Sequence, residues 1–267
     1  MRDQPEWGPR PLDVERANGA RIYDCLLGGA HNFEVDREAV RQLFDINPEA
    51  DKVAISNRQF VRRTVRFLID QGIDQFLDLG SGVPTVGNVH EIAQTYSPRA
   101  RVVYVDNEPV AYEATLELLK NEELAEVVYA DLRQPRSVFR AEETRRLLDF
   151  DRPIGLLMNA ALHYVPDSED LPAIMARYRE MMRPGSYLVV SHLTHADRPR
   201  SGTEVFDKSS TPVTLRTHAE VTELLAGLDL LPPGLVYVPS WRPDGAEIYV
   251  DAPHRSMCLG AVAYQPD

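Results

Sequence analysis

The chain has 267 residues, 43% of them hydrophobic and 26% charged, which is enough apolar side chain for one large domain with an appendage and excludes a fibrous or disordered protein. Its 29 basic against 41 acidic residues leave a net charge of −12, which weighs against nucleic acid as a partner, because phosphates are held by Lys and Arg, and favours a small or neutral substrate. No apolar run approaches the roughly 20 residues that span a bilayer, and the opening M-R-D-Q-P-E-W-G-P-R-P lacks the apolar stretch of a secretory signal, so the expected location is the cytoplasm.

In chain order, the first 74 residues contain no strand pattern. Helical spacing predicts helices over Val14–Leu27, Glu34–Phe44 and Ala50–Gln71, the last with Val53, Phe60, Val61, Thr64, Val65 and Leu68 on one face and Arg58, Arg62, Arg63 and Arg66 clustered along it. Gly28-Gly29 reads as a helix C-cap and a flexible turn, followed by His31-Asn32-Phe33, whose polar and aromatic groups could reach a ligand. From residue 75 the pattern alternates. Strands are expected over 75–79, 102–106, 126–130, 153–159 and 185–192, with helices over 86–96, 108–121, 137–149 and 169–182 between them, which implies a parallel sheet. Thr217-His218-Ala219-Glu220 is a capping box that opens a helix near 218–227. The stretch from His195 to Arg216 interrupts the fold with Pro199, Gly202 and Pro212 and is expected to cover the mouth of the site. Cys25 and Cys258 lie far apart and read as two buried thiols, not as a disulfide or a metal pair.

The chemistry gathers at the predicted strand tips. Phe76-Leu77-Asp78-Leu79-Gly80-Ser81-Gly82 is an apolar strand that ends in a glycine turn, where backbone can come into contact with a bound molecule. Asp78 beside that turn would repel a pyrophosphate but suits a ligand with an ammonium and a sulfonium, so a cationic amino-acid nucleoside fits better than a dinucleotide. Val102-Val103-Tyr104-Val105-Asp106-Asn107 ends in an acid where doubly wound folds bind a ribose diol, and Val127-Val128-Tyr129-Ala130-Asp131-Leu132 ends in another where an adenine lies. Rival motifs fail. The P-loop spacing from Gly82 to Gly87 runs into Asn88 instead of lysine, Gly80-x-Gly82 is followed by Thr85 where a dinucleotide fingerprint needs glycine, and none of Lys52, Lys120 and Lys208 has a tyrosine four residues before it.

These residues resemble the class I S-adenosylmethionine-dependent methyltransferases, with the D-x-G-x-G pattern and an acid after each of the next two strands. Upstream, Tyr23-Asp24-Cys25-Leu26-Leu27-Gly28-Gly29-Ala30-His31-Asn32-Phe33-Glu34-Val35-Asp36-Arg37 looks like the signature of an actinobacterial S-adenosyl methyltransferase family of unassigned substrate. The resemblance implies a Rossmann-like α/β fold with a mostly parallel seven-stranded sheet, closed by an antiparallel pair drawn from Val236–Val238 and Met257–Tyr264. It implies S-adenosyl-L-methionine as cofactor, with a helical lid over 1–74 and a methyltransferase domain over 75–267. The candidate cofactor residues are Tyr23, Arg58, Asp78, Gly80, Ser81, Gly82, Asp106, Asn107, Asp131, Leu132 and Asn159, with Arg58 as a partner for the methionine carboxylate. Met158-Asn159-Ala160-Ala161-Leu162-His163-Tyr164 replaces the N/D-P-P-Y/F of methyltransferases that act on planar amino groups, which disfavours those substrates. His163, just past the fourth tip, is the candidate general base toward a small-molecule O, N or C nucleophile. A non-catalytic cofactor sensor and an NAD(P)-dependent oxidoreductase are the alternatives.

Overall fold

The computed structural model describes residues 12–85, 87–194, 204–245 and 247–266. The opening eleven residues, Val86, and the segment from His195 through Pro199 and Gly202 lie outside the described residues, and with them the expected start of the helix at 86.

The chain begins with three helices, α1 (Gly19–Leu26), α2 (Glu34–Ile46) and α3 (Ala50–Asp70). The repeating unit then runs β1 (Gln75–Leu79), α4 (Val89–Tyr96), β2 (Arg101–Asp106), α5 (Pro109–Leu118), β3 (Ala125–Tyr129), α6 (Pro135–Arg140), α7 (Glu142–Leu147), β4 (Gly155–Asn159), α8 (Leu171–Met181) and β5 (Tyr187–Leu193). It finishes with α9 (Glu204–Asp207), α10 (His218–Leu224), β6 (Asp229–Leu230), β7 (Val236–Tyr237) and β8 (Cys258–Tyr264). Strand order is β3-β2-β1-β4-β5-β8-β6, with β7 also paired to β8. The first five strands are parallel, and β8 lies antiparallel to β5 with Ser191 opposite Gly260. The sheet thus has eight strands where seven were expected, because two two-residue strands, β6 and β7, share the long β8.

β1 is buried along its whole length and lies between β2 and β4, so the chain leaves it toward one edge and returns on the other side. Such a reversal opens a crevice at the carboxyl ends of the strands. One core cluster packs Leu77, Val103, Leu156, Met158 and Val190 against α6, α7, α8 and α10. The opposite cluster contains Phe60, Val61, Val65 and Leu68 of α3 together with Phe76, Val102, Leu157 and Trp241. Phe60 is fully buried, with its ring edge-on to Trp241 at 5.7 Å. Helix α3 is therefore one of the sheet's own covering helices, whereas α1 and α2 pack with α9 in a separate small cluster outside the layers.

Two further differences have local causes. The first helix starts at Gly19, five residues later than its spacing predicts, because the Asn18 side chain accepts the Ala20 N–H at 2.8 Å and caps it there. The helix expected over 137–149 is two, broken at Ala141, whose ψ of 141° is extended. Arg62 pairs with Asp244 and the buried Arg63 pairs with Glu247, while Arg66 lies 3.6 Å from Asp244, so the arginine cluster binds the chain to itself. Cys258 is buried, as expected, whereas Cys25 is only half-buried. Among the described residues no helix is long and apolar enough to cross a membrane.

Candidate active site

The strand tips surround a polar cleft of about 590 Å³. All eleven candidate cofactor residues line it: Tyr23 from α1, Arg58 from α3, Asp78, Gly80, Ser81 and Gly82 from the end of β1, Asp106 and Asn107 after β2, Asp131 and Leu132 after β3, and Asn159 at the tip of β4. His163 is not among them. It is buried just past the tip of β4, in an adjoining apolar pocket.

Each element of the cleft is held by backbone. Gly80 and Gly82 both take φ of +68°, and a β-carbon at Gly80 would come within 2.7 Å of the Ala161 side chain, so the turn after β1 and the loop after β4 meet only because no side chain intervenes. The Gly80 N–H donates to the Val105 carbonyl at 2.8 Å, which ties that turn to β2. Asp106 accepts the Gly82 N–H at 2.7 Å and the Glu108 N–H at 2.8 Å, one on each oxygen, and each oxygen retains a lone pair directed elsewhere. Asn107 donates to Asp131 at 3.1 Å and joins the second and third tips.

The three carboxylates differ electrostatically. Burial pushes Asp78 up to about 7, against the pull of Arg58 and with a further push from Asp106. Burial also raises Asp106, opposed by backbone N–H groups from Glu108, Gly82 and Asn107. At Asp131 burial works upward too, but hydrogen bonds and charge from Arg133 override it and hold the carboxyl below its usual range. Asp78 is thus a carboxyl whose charged form burial disfavours, and a cation brought beside it would offset that cost and favour ionisation.

Two buried groups in the cleft have no hydrogen-bond partner among the described residues, the Ser81 hydroxyl and the side-chain amide of Asn159. Orphaned buried polar atoms are costly unless a ligand supplies their partners. An amino-acid nucleoside has an ammonium, a carboxylate and ribose hydroxyls to offer, so the donor set fits such a molecule.

Sequence reasoning missed several residues that shape the site. Asn57 lies on the buried stripe of α3, where its amide donates to the Tyr23 hydroxyl at 3.1 Å and accepts from the Ser191 hydroxyl at 2.6 Å. Ser191 in turn accepts the Ala160 N–H at 2.9 Å, and Ala160 has φ of +52°, an uncommon conformation for a residue with a side chain. The available signal was polar residues on buried elements, Asn57 on the buried face of α3 and Ser191-His192 within β5.

The N-terminal signature acts differently from its expected role. Asp24 accepts the His31 N–H and the Asn32 amide, at 2.9 and 2.8 Å, and the Thr85 hydroxyl at 3.1 Å. Gly29 lets that carboxylate lie against the backbone, since a β-carbon there would collide with it at 1.9 Å. Arg21, under Phe33, binds Asp36 at 2.9 Å and Glu108 at 3.1 Å. His31, Asn32 and Phe33 are not among the residues that line the cleft; Asp24 and Arg21, which they contact, link α1 to the tips of β1 and β2 through Thr85 and Glu108. The segment before Arg216 contributes as well. The Gly19 N–H donates to the Thr211 hydroxyl at 2.7 Å, Pro212 lines the cleft, and Val213 and Leu215 line the apolar pocket.

The model of the family described as S-adenosyl methyltransferase matches residues 5–266. Two solved structures are similar over nearly the whole chain. A candidate methyltransferase from Thermobifida fusca YX is 35% identical, with 98% of this chain and 100% of that one covered and a TM-score of 0.90. A DUF574 family protein from Streptomyces avermitilis MA-4680 is 38% identical, with 96% and 100% covered and a TM-score of 0.89. No curated protein matches the chain significantly.

Proposed function

Because the chain belongs to the S-adenosyl methyltransferase family and is an S-adenosyl-L-methionine-dependent methyltransferase, we propose that the polar cleft holds that cofactor and that the methyl acceptor is a small molecule received beside it. The observation that carries this reading is the convergence of eleven residues, chosen from sequence, on one cleft that also contains two partnerless buried groups.

In this reading Asp106 accepts hydrogen bonds from the ribose diol, and Asp131 with Leu132 lies along the adenine. Arg58 faces the methionine carboxylate, with Asp78, Ser81 and Asn159 answering the amino-acid end. When bound, the cofactor supplies an electrophilic methyl group on a sulfonium. Methyl transfer disperses charge, so the protein's main task is positioning, an effect worth up to roughly 7 to 11 kcal/mol. The α1–α2 cap, which lies over the strand tips, serves as a lid that excludes water. Its link to the sheet through Asp24–Thr85 and Arg21–Glu108 supports that role.

His163 is the proposed base for the acceptor's proton. Burial, together with the neighbouring His192 and Arg216 charges, pushes it well below its usual range, so the ring is neutral at physiological pH. The Leu193 N–H approaches its Nδ1 at 3.5 Å, the outer limit of a hydrogen bond, so the ring is only weakly engaged by the backbone. The net charge of −12 and the self-paired arginines of α3 support a small acceptor over a polyanion. A cytoplasmic setting, where this cofactor is made and consumed, accords with two cysteines that form no disulfide.

Calorimetric titration with S-adenosylmethionine, S-adenosylhomocysteine and NAD tests the assignment. One-to-one binding of the first two is the expected result, and binding of NAD alone would refute it.

A further inference from the structure

Beside the cofactor cleft, and sharing Tyr23, Asn57, Ala160 and Tyr164 with it, is a second space of opposite character. It measures about 140 Å³. Ile22, Leu26, Leu43, Val53, Phe206 and Leu215 form its body, contributed by α1, α2, α3, α9 and the segment before α10. No Asp, Glu, Lys or Arg side chain lines it among the described residues. Its one titratable imidazole, His163, is held neutral by burial. At the neck shared with the cleft, the Asn57 amide fixes the Tyr23 hydroxyl at 3.1 Å and the Ser191 hydroxyl fixes Asn57 at 2.6 Å.

We propose that this pocket receives the body of the methyl acceptor, and that the acceptor is an uncharged, compact apolar molecule about the size of one aromatic ring, with its single nucleophilic atom at the neck. The inference deepens the cofactor assignment above and rests on it. Three properties of the pocket define the class. A charged group placed there would lose its hydration with no opposite charge to meet it, which excludes phosphorylated, carboxylated or zwitterionic acceptors from the body of the pocket. The volume is close to the roughly 150 Å³ of an apolar cavity known to take up benzene, so it matches the body of a single ring. The Tyr23 hydroxyl and Asn57 amide at the neck line both spaces, so a hydroxyl or amine satisfied there is turned toward the cofactor site while the ring is turned away. The walls are also fixed. A β-carbon at Gly19 would come within 2.4 Å of the Tyr164 ring, which therefore lies flat against the α1 backbone.

Phenol, benzoate and benzylammonium serve as probes of equal ring size and different charge, titrated by calorimetry at neutral pH into the full chain saturated with S-adenosylhomocysteine. Phenol is expected to bind, and the two ions are expected to bind more than about tenfold more weakly. Val53→Trp fills the pocket from α3 and touches nothing in the cleft, so it should abolish phenol binding while S-adenosylhomocysteine affinity and the melting temperature stay near wild type. Leu43→Trp tests the same point from α2 if the first variant melts early. Equal binding of charged and neutral probes, undiminished phenol binding in both folded variants, or no phenol binding to a chain that does bind S-adenosylhomocysteine would overturn the acceptor class and leave the cofactor assignment standing. Failure of S-adenosylhomocysteine itself to bind would strike the cofactor assignment and remove the proposal with it.

Discussion

Asp78 shows how a single buried carboxyl can register its ligand. Its pKa of about 7 in the free protein exceeds its ordinary 3.8, so the folded chain retains a proton that the unfolded chain has released. Its contribution to stability is complete below the ordinary value and is lost as pH rises through about 7. A cationic ligand favours the ionised form, so cofactor binding near pH 6 should release a proton, and affinity should rise with pH until it levels off above about 7. Calorimetry in two buffers of different ionisation enthalpy measures that proton. Asp78→Asn should abolish the release and weaken binding by roughly 10- to 150-fold, the equivalent of a lost charge-assisted hydrogen bond; an unchanged affinity would remove Asp78 from the site. His163 has the opposite shift. Lowered well below its usual range, it is already unprotonated at neutral pH, so a rate that depends on it should be flat from about pH 6.5 upward and fall only in acid. His163→Ala should reduce turnover without loosening S-adenosylhomocysteine, and a fully active variant would make it a bystander.

At the level of elements, β1 was legible to the residue because an apolar run meets a glycine turn at a defined point, and the acids at the next two tips followed from the same alternation. The division of the first 74 residues was less legible. A helical period marks an amphipathic face but not what covers it, and the stripe of Phe60, Val61, Val65 and Leu68 belongs to the sheet's core. A cut at residue 74 would therefore remove core as well as cap. The cap proper is α1 and α2, fastened by a buried ion pair in which Arg21 is 1% and Asp36 0% exposed. Arg21→Met would leave that carboxylate uncompensated and is expected to cost about 3 to 5 kcal/mol in denaturant melts. The same variant should speed proteolytic cleavage before residue 50, and saturating S-adenosylhomocysteine should slow cleavage in the wild type. Indifference of cleavage to ligand would mean that the cap is structural only.

Across the whole molecule, the residues proposed for the cofactor were picked from sequence and meet in one cleft, whereas most walls of the second pocket were not picked out, for a physical reason. Cofactor residues occur at successive tips of one regular unit, so spacing along the chain stands for position in space. The proposed acceptor pocket combines α1, α2, α3, the end of β4, β5, α9, the segment before α10 and the start of β8, and most of its walls are ordinary Leu, Ile, Val and Phe that a sequence assigns to any core. The traces were His163 past the tip of β4, which lines the pocket, and Asn57 and Ser191, polar residues on two buried faces that meet across the fold. The central claim, that the strand tips together form the cofactor site, is tested most directly by hydrogen–deuterium exchange with and without S-adenosylhomocysteine. Protection is expected at Gly80–Gly82, Asp106–Glu108 and Asp131–Arg133 at once, with weaker protection over α1. Protection confined to other segments, or none at these three tips while the ligand is bound, would contradict it.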